Sequence, residues 1–456
     1  MGRAATAIAV AAACLIVTNG EAVAEDKPAP AVTTKPVSGS PAAQPAQAVM
    51  TKAPQTKMPE AKASDAKPAD KKPPDATLQP ATFADLPGWQ NDDHLLAFKT
   101  FLKSCDCVIK AEDKPASRVA PSKAGAAELA SACRAAKALE AATKVSAKGF
   151  FEEHFVPNRV VQKNPQGMLT GYYEPVLEGA RTAQGRFQTP VYRRPPDLVN
   201  VVAETERASK PDGLTHMRKT EAGETAYPTR AEIEQGALAG KGLELLYLED
   251  PVDVFFMHIQ GSGRIKLTDG TTVRINYDGK NGHPYTSIGR YLIDKGLLAA
   301  DKVSLQFLCK WLRADRERGK QVMWQNQSFI FFRELGDGDG PLGALKVPLT
   351  PGRSLAIDTA YHTLGTPVYV SAPSLQHARK DGGFNRLMVA QDVGSAIKGP
   401  ERGDIYFGSG EKAGRVAGTT KHPGNFFVLI PTSTSTKSAA KSGERLQWLT
   451  IEKAER

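Results

Sequence analysis

Three aspartates stand where carboxyl chemistry could be done. Asp358 follows the apolar segment Leu355-Ala356-Ile357, Asp392 follows Leu387-Met388-Val389-Ala390-Gln391, and Asp404 precedes Ile405-Tyr406-Phe407. A carboxyl group set against apolar neighbours has its charged form disfavoured, so its pKa rises and it can donate a proton near neutral pH. A second carboxylate nearby pushes the same way. Taken singly, strand-end aspartates also cap turns. Other constellations are weaker. Gly408-Ser409-Gly410 lacks the Lys-Ser/Thr and the strand–loop–helix context of a phosphate loop. The eight histidines include no His-Glu-x-x-His and no pair at helical spacing, so no metal and no cofactor are expected. Ser262, in Gly261-Ser262-Gly263, reads as part of a hairpin turn rather than a nucleophile. Basic residues are dispersed without interleaved aromatics, so nucleic acid is not an expected partner.

The elements around these residues are mostly short strands. Phe329–Phe332, Ser354–Ile357, Pro367–Val370, Arg386–Ala390, Ile405–Phe407 and Phe426–Ile430 alternate with Gly and Pro. Such punctuation indicates a closed barrel rather than a doubly wound parallel sheet. A barrel would gather its strand ends, and the three aspartates, at one rim. Upstream, Leu169–Val176 reads as a strand entering a turn, Pro190–Arg193 as a strand, and Thr229-Arg230-Ala231-Glu232 as a capping box. The apolar run Val252–Ile259 reads as a strand, followed by two more through Tyr277. Two helices are expected at about 286–298 and 303–317. A helical prelude covers residues 81–165, with Asp92 or Asp93 at its first helix start and an Ala-rich helix over 124–147.

The chain has 456 residues, 41% hydrophobic and 24% charged, with a net charge of +10. This is an ordinary globular mixture long enough for more than one core. Its basic surface suits an anionic polymer such as nucleic acid, membrane headgroups or cell wall. Residues 1–24 read as a secretory signal, with Arg3, an apolar run and Ala22-Val23-Ala24 before Glu25. Lipidation at Cys14 is the second choice, because Leu15-Ile16-Val17 carry the apolar run past it. Residues 25–80 hold eleven prolines and no aromatic residue, the composition of an extended linker or tether. After cleavage four cysteines remain. Cys105 and Cys107 are too close for an easy mutual bond, so one of them pairing with Cys133 is the expected bridge.

The motifs together resemble the membrane-bound lytic murein transglycosylase A family. They are Leu169-Thr170-Gly171-Tyr172-Tyr173-Glu174-Pro175, Ile259-Gln260-Gly261-Ser262-Gly263-Arg264-Ile265 and Ser287-Ile288-Gly289-Arg290-Tyr291-Leu292-Ile293. Asn326–Phe332, Val347–Thr350 and Asp392-Val393-Gly394-Ser395-Ala396-Ile397-Lys398-Gly399, leading to Asp404-Ile405-Tyr406, complete the set. The C-terminal part resembles the wider three-aspartate, double-psi β-barrel domain. The resemblance implies a mainly β fold with helical additions: a double-psi β-barrel domain over 329–431, a second β domain with helices over 166–328, and a groove between them. Residues 432–456 are left as a tail.

The implied activity is cleavage of the β-1,4 bond between N-acetylmuramic acid and N-acetylglucosamine in peptidoglycan, leaving a 1,6-anhydro-muramic end. Asp404 is then the general acid and base, with Asp392 tuning and orienting it and Asp358 and Lys398 in support. Thr170, Gly171, Tyr172, Gln260, Gly261 and Ser262 would line the groove. A hydrolytic muramidase using Asp392 and Asp404, or a wall-binding barrel without catalysis, are the alternatives. The expected setting is the periplasm, with outer-membrane association as an option. The expected state is a monomer bound to glycan strands, its linker free to meet envelope proteins. The chain departs from the family pattern in its long linker, its poor lipobox and Ser395, where glycine is common.

Overall fold

The structure is a computed structural model that describes residues 76–432, short of 112–125, 140–141, 163–166, 203–213, 301–302, 337, 339 and 379–382. The signal segment, Cys14, nearly all of the linker and the tail beyond 432 lie outside the described residues.

Strand β1 (Ala76–Pro80) takes the last five residues assigned to the linker. Helices α1 (His94–Ala111), α2 (Ala126–Ala138) and α3 (Lys144–His154) follow, then β2 (Phe155–Gln162). The helical prelude therefore ends in a strand. β3 (Met168–Glu174) and β4 (Val176–Ala180) are separated by Pro175 alone. Next come β5 (Thr189–Tyr192), β6 (Leu198–Asn200), β7 (His216–Thr220), β8 (Gly223–Thr225), the short α4 (Arg230–Glu232) and β9 (Glu244–Leu248). Helix α5 (Pro251–Gln260) leads into β10 (Ser262–Leu267) and β11 (Thr272–Lys280). Helices α6 (Ile288–Asp294), α7 (Leu305–Ala314) and α8 (Arg316–Met323) precede β12 (Ile330–Leu335). The last stretch holds β13 (Ser354–Ile357), β14 (Pro367–Ala372), β15 (Phe384–Val393) and β16 (Arg402–Ser409). It ends with α9 (Gly410–Thr419), β17 (Lys421–Pro423) and β18 (Asn425–Pro431). No helix among the described residues is long and apolar enough to cross a membrane.

Nine strands form one sheet in the order β1-β2-β18-β14-β15-β13-β16-β3-β17, and six form another in the order β12-β11-β10-β4-β9-β5. The fold is mainly β with helical additions, built on these two sheets. The nine-stranded ladder runs in linear order, with no pairing of β1 to β17 among the described residues. Sheet membership departs from the sequence boundaries at both ends of the second domain. β3 lies after residue 166 but pairs with β16 in the nine-stranded sheet, and β12 lies after 329 but pairs with β11 in the six-stranded one. Strand pairing is non-local, so the change of texture along the chain does not mark where it changes sheets.

Strands β14, β15 and β18 are buried on both faces, which is why they read as unbroken apolar runs. Along β15, Met388 and Ala390 join the core inside the sheet, while Leu387 and Val389 join a second core beneath α1, α2 and α3. A buried ion pair pins the start of α1 to this sheet. Arg353 reaches Asp92 with both terminal nitrogens, at 2.9 and 2.8 Å, and Asp92 also accepts from the Leu387 amide at 2.7 Å. Asp93 is left to cap the helix, accepting from the Leu96 amide at 3.1 Å.

The run Val252–Ile259 is a helix, not a strand. A short apolar run fits a buried helix as well as a buried strand, and the flanks decide it. Asp250 caps the first turn, Pro251 occupies the first helical position, and Gly261 ends the helix in the left-handed region at φ 76°. Val254 and Met257 then pack on the six-stranded sheet with Leu246, Ile265 and Phe332, while Val252, Phe255 and Phe256 face α6, α7 and α8.

The bridge that forms is Cys105–Cys133, joining α1 to α2 across 28 residues, while the Cys107 thiol donates to the Leu345 carbonyl. Closing a loop of that length is worth about 2–4 kcal/mol. Cys133→Ser is expected to lose that much stability in urea denaturation, and Cys107→Ser less than half of it.

Candidate active site

The site starts from one strand pair. β16 runs parallel to β3, and the register sets Asp404 opposite Thr170 and Tyr406 opposite Tyr172. Because side chains alternate along a strand, Arg402, Asp404 and Tyr406 share one face of β16. Ile405 and Leu169 turn the other way, into the core. The Thr170 hydroxyl donates to Asp404 Oδ1 at 2.6 Å, and the Tyr172 and Tyr406 rings lie 5.3 Å apart. Burial pushes the Asp404 carboxyl above its ordinary range. The Arg402 charge and the Thr170 hydrogen bond pull the other way without cancelling it.

Asp392 enters from β15. It and Asp404 both stand opposite Ala356 on β13, which lies between their strands. Its oxygens are fully engaged. Oδ1 accepts from the Ala344 amide at 3.0 Å and the Val393 amide at 2.9 Å, and Oδ2 accepts from the Tyr172 hydroxyl at 2.8 Å. Burial raises its pKa to about 6 against these three donors, and the charge of Asp404 adds to the rise. Tyr172, buried beside both carboxylates, is pushed well above its ordinary value. The preceding residue, Gln391, is locked by donation to the Thr100 carbonyl at 2.9 Å and to Ser104 Oγ at 2.8 Å on α1. Both carboxyls thus have their charged forms disfavoured, and the charge on Asp404 opposes ionisation of Asp392.

The other expected site residues divide. Gly171 sits between Thr170 and Tyr172, and a Cβ there would come within 2.5 Å of Phe407 and 2.9 Å of Ala417, so it makes room for α9. Gln260, the last residue of α5, accepts from the Tyr173 amide at 3.0 Å and ties that helix to β3. Gly261 is the cap of α5 and Ser262 is buried at the start of β10, so the expected hairpin turn is a helix end. Asp358 is buried in its own cluster. It accepts from the Ala360 amide at 3.1 Å and the Gly399 amide at 2.8 Å, with Lys398 Nζ 4.0 Å away. Among the described residues no hydrogen bond joins it to Asp392 or Asp404. It holds the chain between them, where the loop returns toward β16. No group of three or more metal-ligating side chains gathers among the described residues.

Three residues were missed. Arg402 donates to Thr170 Oγ1 at 2.9 Å, and its place two residues before Asp404 on a strand was a readable signal. Tyr285, from the loop ahead of α6, is raised in pKa mainly by burial and further by the Asp404 charge. It brings the second β domain to the carboxylate and carries no sequence signal. Glu174, at the end of β3, is fully buried. It meets Arg274 at 2.6 Å and Arg264 at 3.4 Å from the six-stranded sheet, and accepts from Ser409 at the end of β16.

A family model for the MltA specific insert domain matches residues 168–333, and one for the 3D domain matches 353–430. The crystal structure of a membrane-bound lytic murein transglycosylase from Agrobacterium tumefaciens is 37% identical. It aligns with a TM-score of 0.70 over 80% of this chain and 99% of that one. The chain belongs to the membrane-bound lytic murein transglycosylase A family. A family member from Escherichia coli (strain K12) is 38% identical over 269 residues, 57% of this chain and 65% of that protein. The match thus spans just under two thirds of such relatives. The structure of E. coli MltA with bound chitohexaose is also similar, at 29% identity and a TM-score of 0.54 over 79% of this chain and 93% of that one. Within the family fold, Glu174 ties β3 and β16 of one sheet to β10 and β11 of the other. Removing one member of a buried ion cluster leaves the others uncompensated, at a cost of about 3–5 kcal/mol. Glu174→Gln is expected to lose that much stability in chemical denaturation.

Proposed function

We propose that this protein is a peptidoglycan lytic transglycosylase. It cleaves the β-1,4 bond between N-acetylmuramic acid and N-acetylglucosamine and leaves a 1,6-anhydro-muramic end. The observation that carries the reading is an asymmetry between the two carboxyls. Asp392 has both oxygens occupied by three donors, whereas Asp404 accepts one hydrogen bond, on Oδ1, among the described residues. A hydrolytic glycosidase needs two working carboxyl groups, one as acid and one as nucleophile or base. Here one is free to work. A single acid suffices when the nucleophile is the substrate's own C6 hydroxyl, held on the same ring as the anomeric carbon at high effective molarity. Asp404 first protonates the leaving oxygen and then accepts the hydroxyl proton. Asp392, a second carboxylate nearby, helps keep Asp404 protonated by disfavouring its ionisation. Family membership and the chitohexaose bound to the E. coli relative support a glycan substrate.

The same reading sets the protein in the cell envelope, exported to the periplasm, with glycan strands as partner. The signal pattern at 1–24 supports export, and the linker supports a tether to the envelope. The exported chain is expected to begin at Glu25 on N-terminal sequencing. A chain beginning at lipidated Cys14 would give an outer-membrane anchor instead.

Mass spectrometry of digested sacculi tests the chemistry, since anhydro products are one water lighter than hydrolytic ones. Asp404→Asn keeps shape but cannot move the proton, so anhydro-muropeptide release is expected to fall by at least about 10²–10⁴-fold. Folding, followed by circular dichroism, is expected to persist. Both carboxyls are raised, so the one-proton state of the pair survives to higher pH than an ordinary carboxyl allows. Turnover is expected to fall as pH rises through that range, because the acid form is lost. Asp392→Asn removes a negative neighbour and lowers the Asp404 pKa. The alkaline limb of its pH–rate profile is expected to move toward lower pH.

A further inference from the structure

The hydrogen bonds around Asp404 have a direction. A guanidinium can only donate, so Arg402 Nη2, 2.9 Å from Thr170 Oγ1, occupies a lone pair of that oxygen. The one hydroxyl hydrogen is then aimed at Asp404 Oδ1, 2.6 Å away. Arg402 is itself held by donation from Nη1 to the Gly403 carbonyl. A proton on Oδ1 would turn the hydroxyl hydrogen away from its acceptor. Oδ2 carries no hydrogen bond from the described residues. The strand geometry enforces all of this: Arg402 and Asp404 project from one face of β16, and Thr170 stands opposite Asp404 on β3.

We propose that Arg402 and Thr170 are positioning residues, a relay that fixes the Asp404 carboxyl so that Oδ2 holds the acid proton and presents it to the glycosidic oxygen. This rests on Asp404 being the acid. The relay also explains why an arginine sits two residues from a group that must keep a proton. Passing through the hydroxyl, the guanidinium orients the carboxyl without forming the bidentate pair that would hold it ionised. Other charged or titratable groups face this carboxyl. Tyr172 comes from β3, Asp392 from β15 and Tyr285 from the loop ahead of α6, and Lys421 stands opposite Thr170 on β17.

The test compares Thr170→Val, Thr170→Ser, Arg402→Met, Arg402→Lys and Asp404→Asn in anhydro-muropeptide release, with folding followed by circular dichroism. The Asp404 carboxyl is titrated by 13C NMR in each folded variant that keeps it. Small misplacements of a reacting group cost up to about 10²-fold. Thr170→Val and Arg402→Met are expected to lose about 10–100-fold in kcat with KM nearly unchanged. Thr170→Ser, which keeps the hydroxyl, is expected to restore most of the rate. Both damaging variants remove a group that favours the carboxylate, so the Asp404 titration and the alkaline limb are expected to move to higher pH. Arg402→Lys retains a donor and a charge, and an intermediate rate with a small titration shift supports the relay. If Asp404→Asn is inactive while Thr170→Val and Arg402→Met keep wild-type kcat and titration, the relay is overturned and the acid stands. If folded Asp404→Asn keeps wild-type turnover, the assignment of the acid falls, and the relay with it.

Discussion

The parallel pairing of β16 with β3 is the contact on which the site depends. It sets a threonine against one aspartate and brings two tyrosine rings within 5.3 Å, tilted, two residues further along. At its far end it delivers Glu174 to the junction where the chain leaves one sheet for the other. A slip of β16 by one residue against β3 would turn its side chains to the opposite face. Asp404 would enter the core, and Ile405 would face outward. The apolar burial of Ile405 and Leu169 therefore holds the polar residues in position, and the cost of burying a carboxylate opposes the slipped alternative.

The same strand ties the two sheets together. After Glu174 only Pro175 separates β3 from β4, so the crossing leaves no slack. Glu174 accepts from Arg274 of β11 and from the serine that ends β16, and it lies 3.4 Å from Arg264 of β10 in an ion pair. A buried carboxylate is tolerated because two cations and a hydroxyl replace the water it loses. On the return path the loop after β12 passes Asp392, and the Ala344 amide donates to it. Both crossings between sheets thus pass beside the aspartate cluster, and on the return path the crossing also holds Asp392.

Burial performs two kinds of work at the aspartates. At Asp404 it disfavours the charged form, opposed by the Arg402 charge and one hydrogen bond. At Asp392 burial is similar but three donors stabilise the carboxylate. At Asp358 two backbone amides and a lysine hold a loop. Three aspartates of one chemical type thereby sit in three environments, and the number and kind of donors around each is what separates them.

The residues alone were enough to single out three aspartates as candidates, because a carboxyl at the edge of an apolar strand carries its pKa logic in its immediate neighbours. They were enough to place β14, β15 and β18, since strands buried on both faces leave unbroken apolar runs. The motif order also identified the family. Local pattern misread Val252–Ile259, where an apolar run suits helix and strand alike and the decision lay in Asp250, Pro251 and Gly261. It drew the domain edges at changes of texture, though β3 and β12 belong to the sheets on the other side of those edges. Only tertiary structure paired Thr170 with Asp404 across 234 residues, gave Asp392 its three donors and brought Glu174 to its arginines. Those contacts are set by strand register and by which sheet each strand joins, and neither is written in any short stretch of chain.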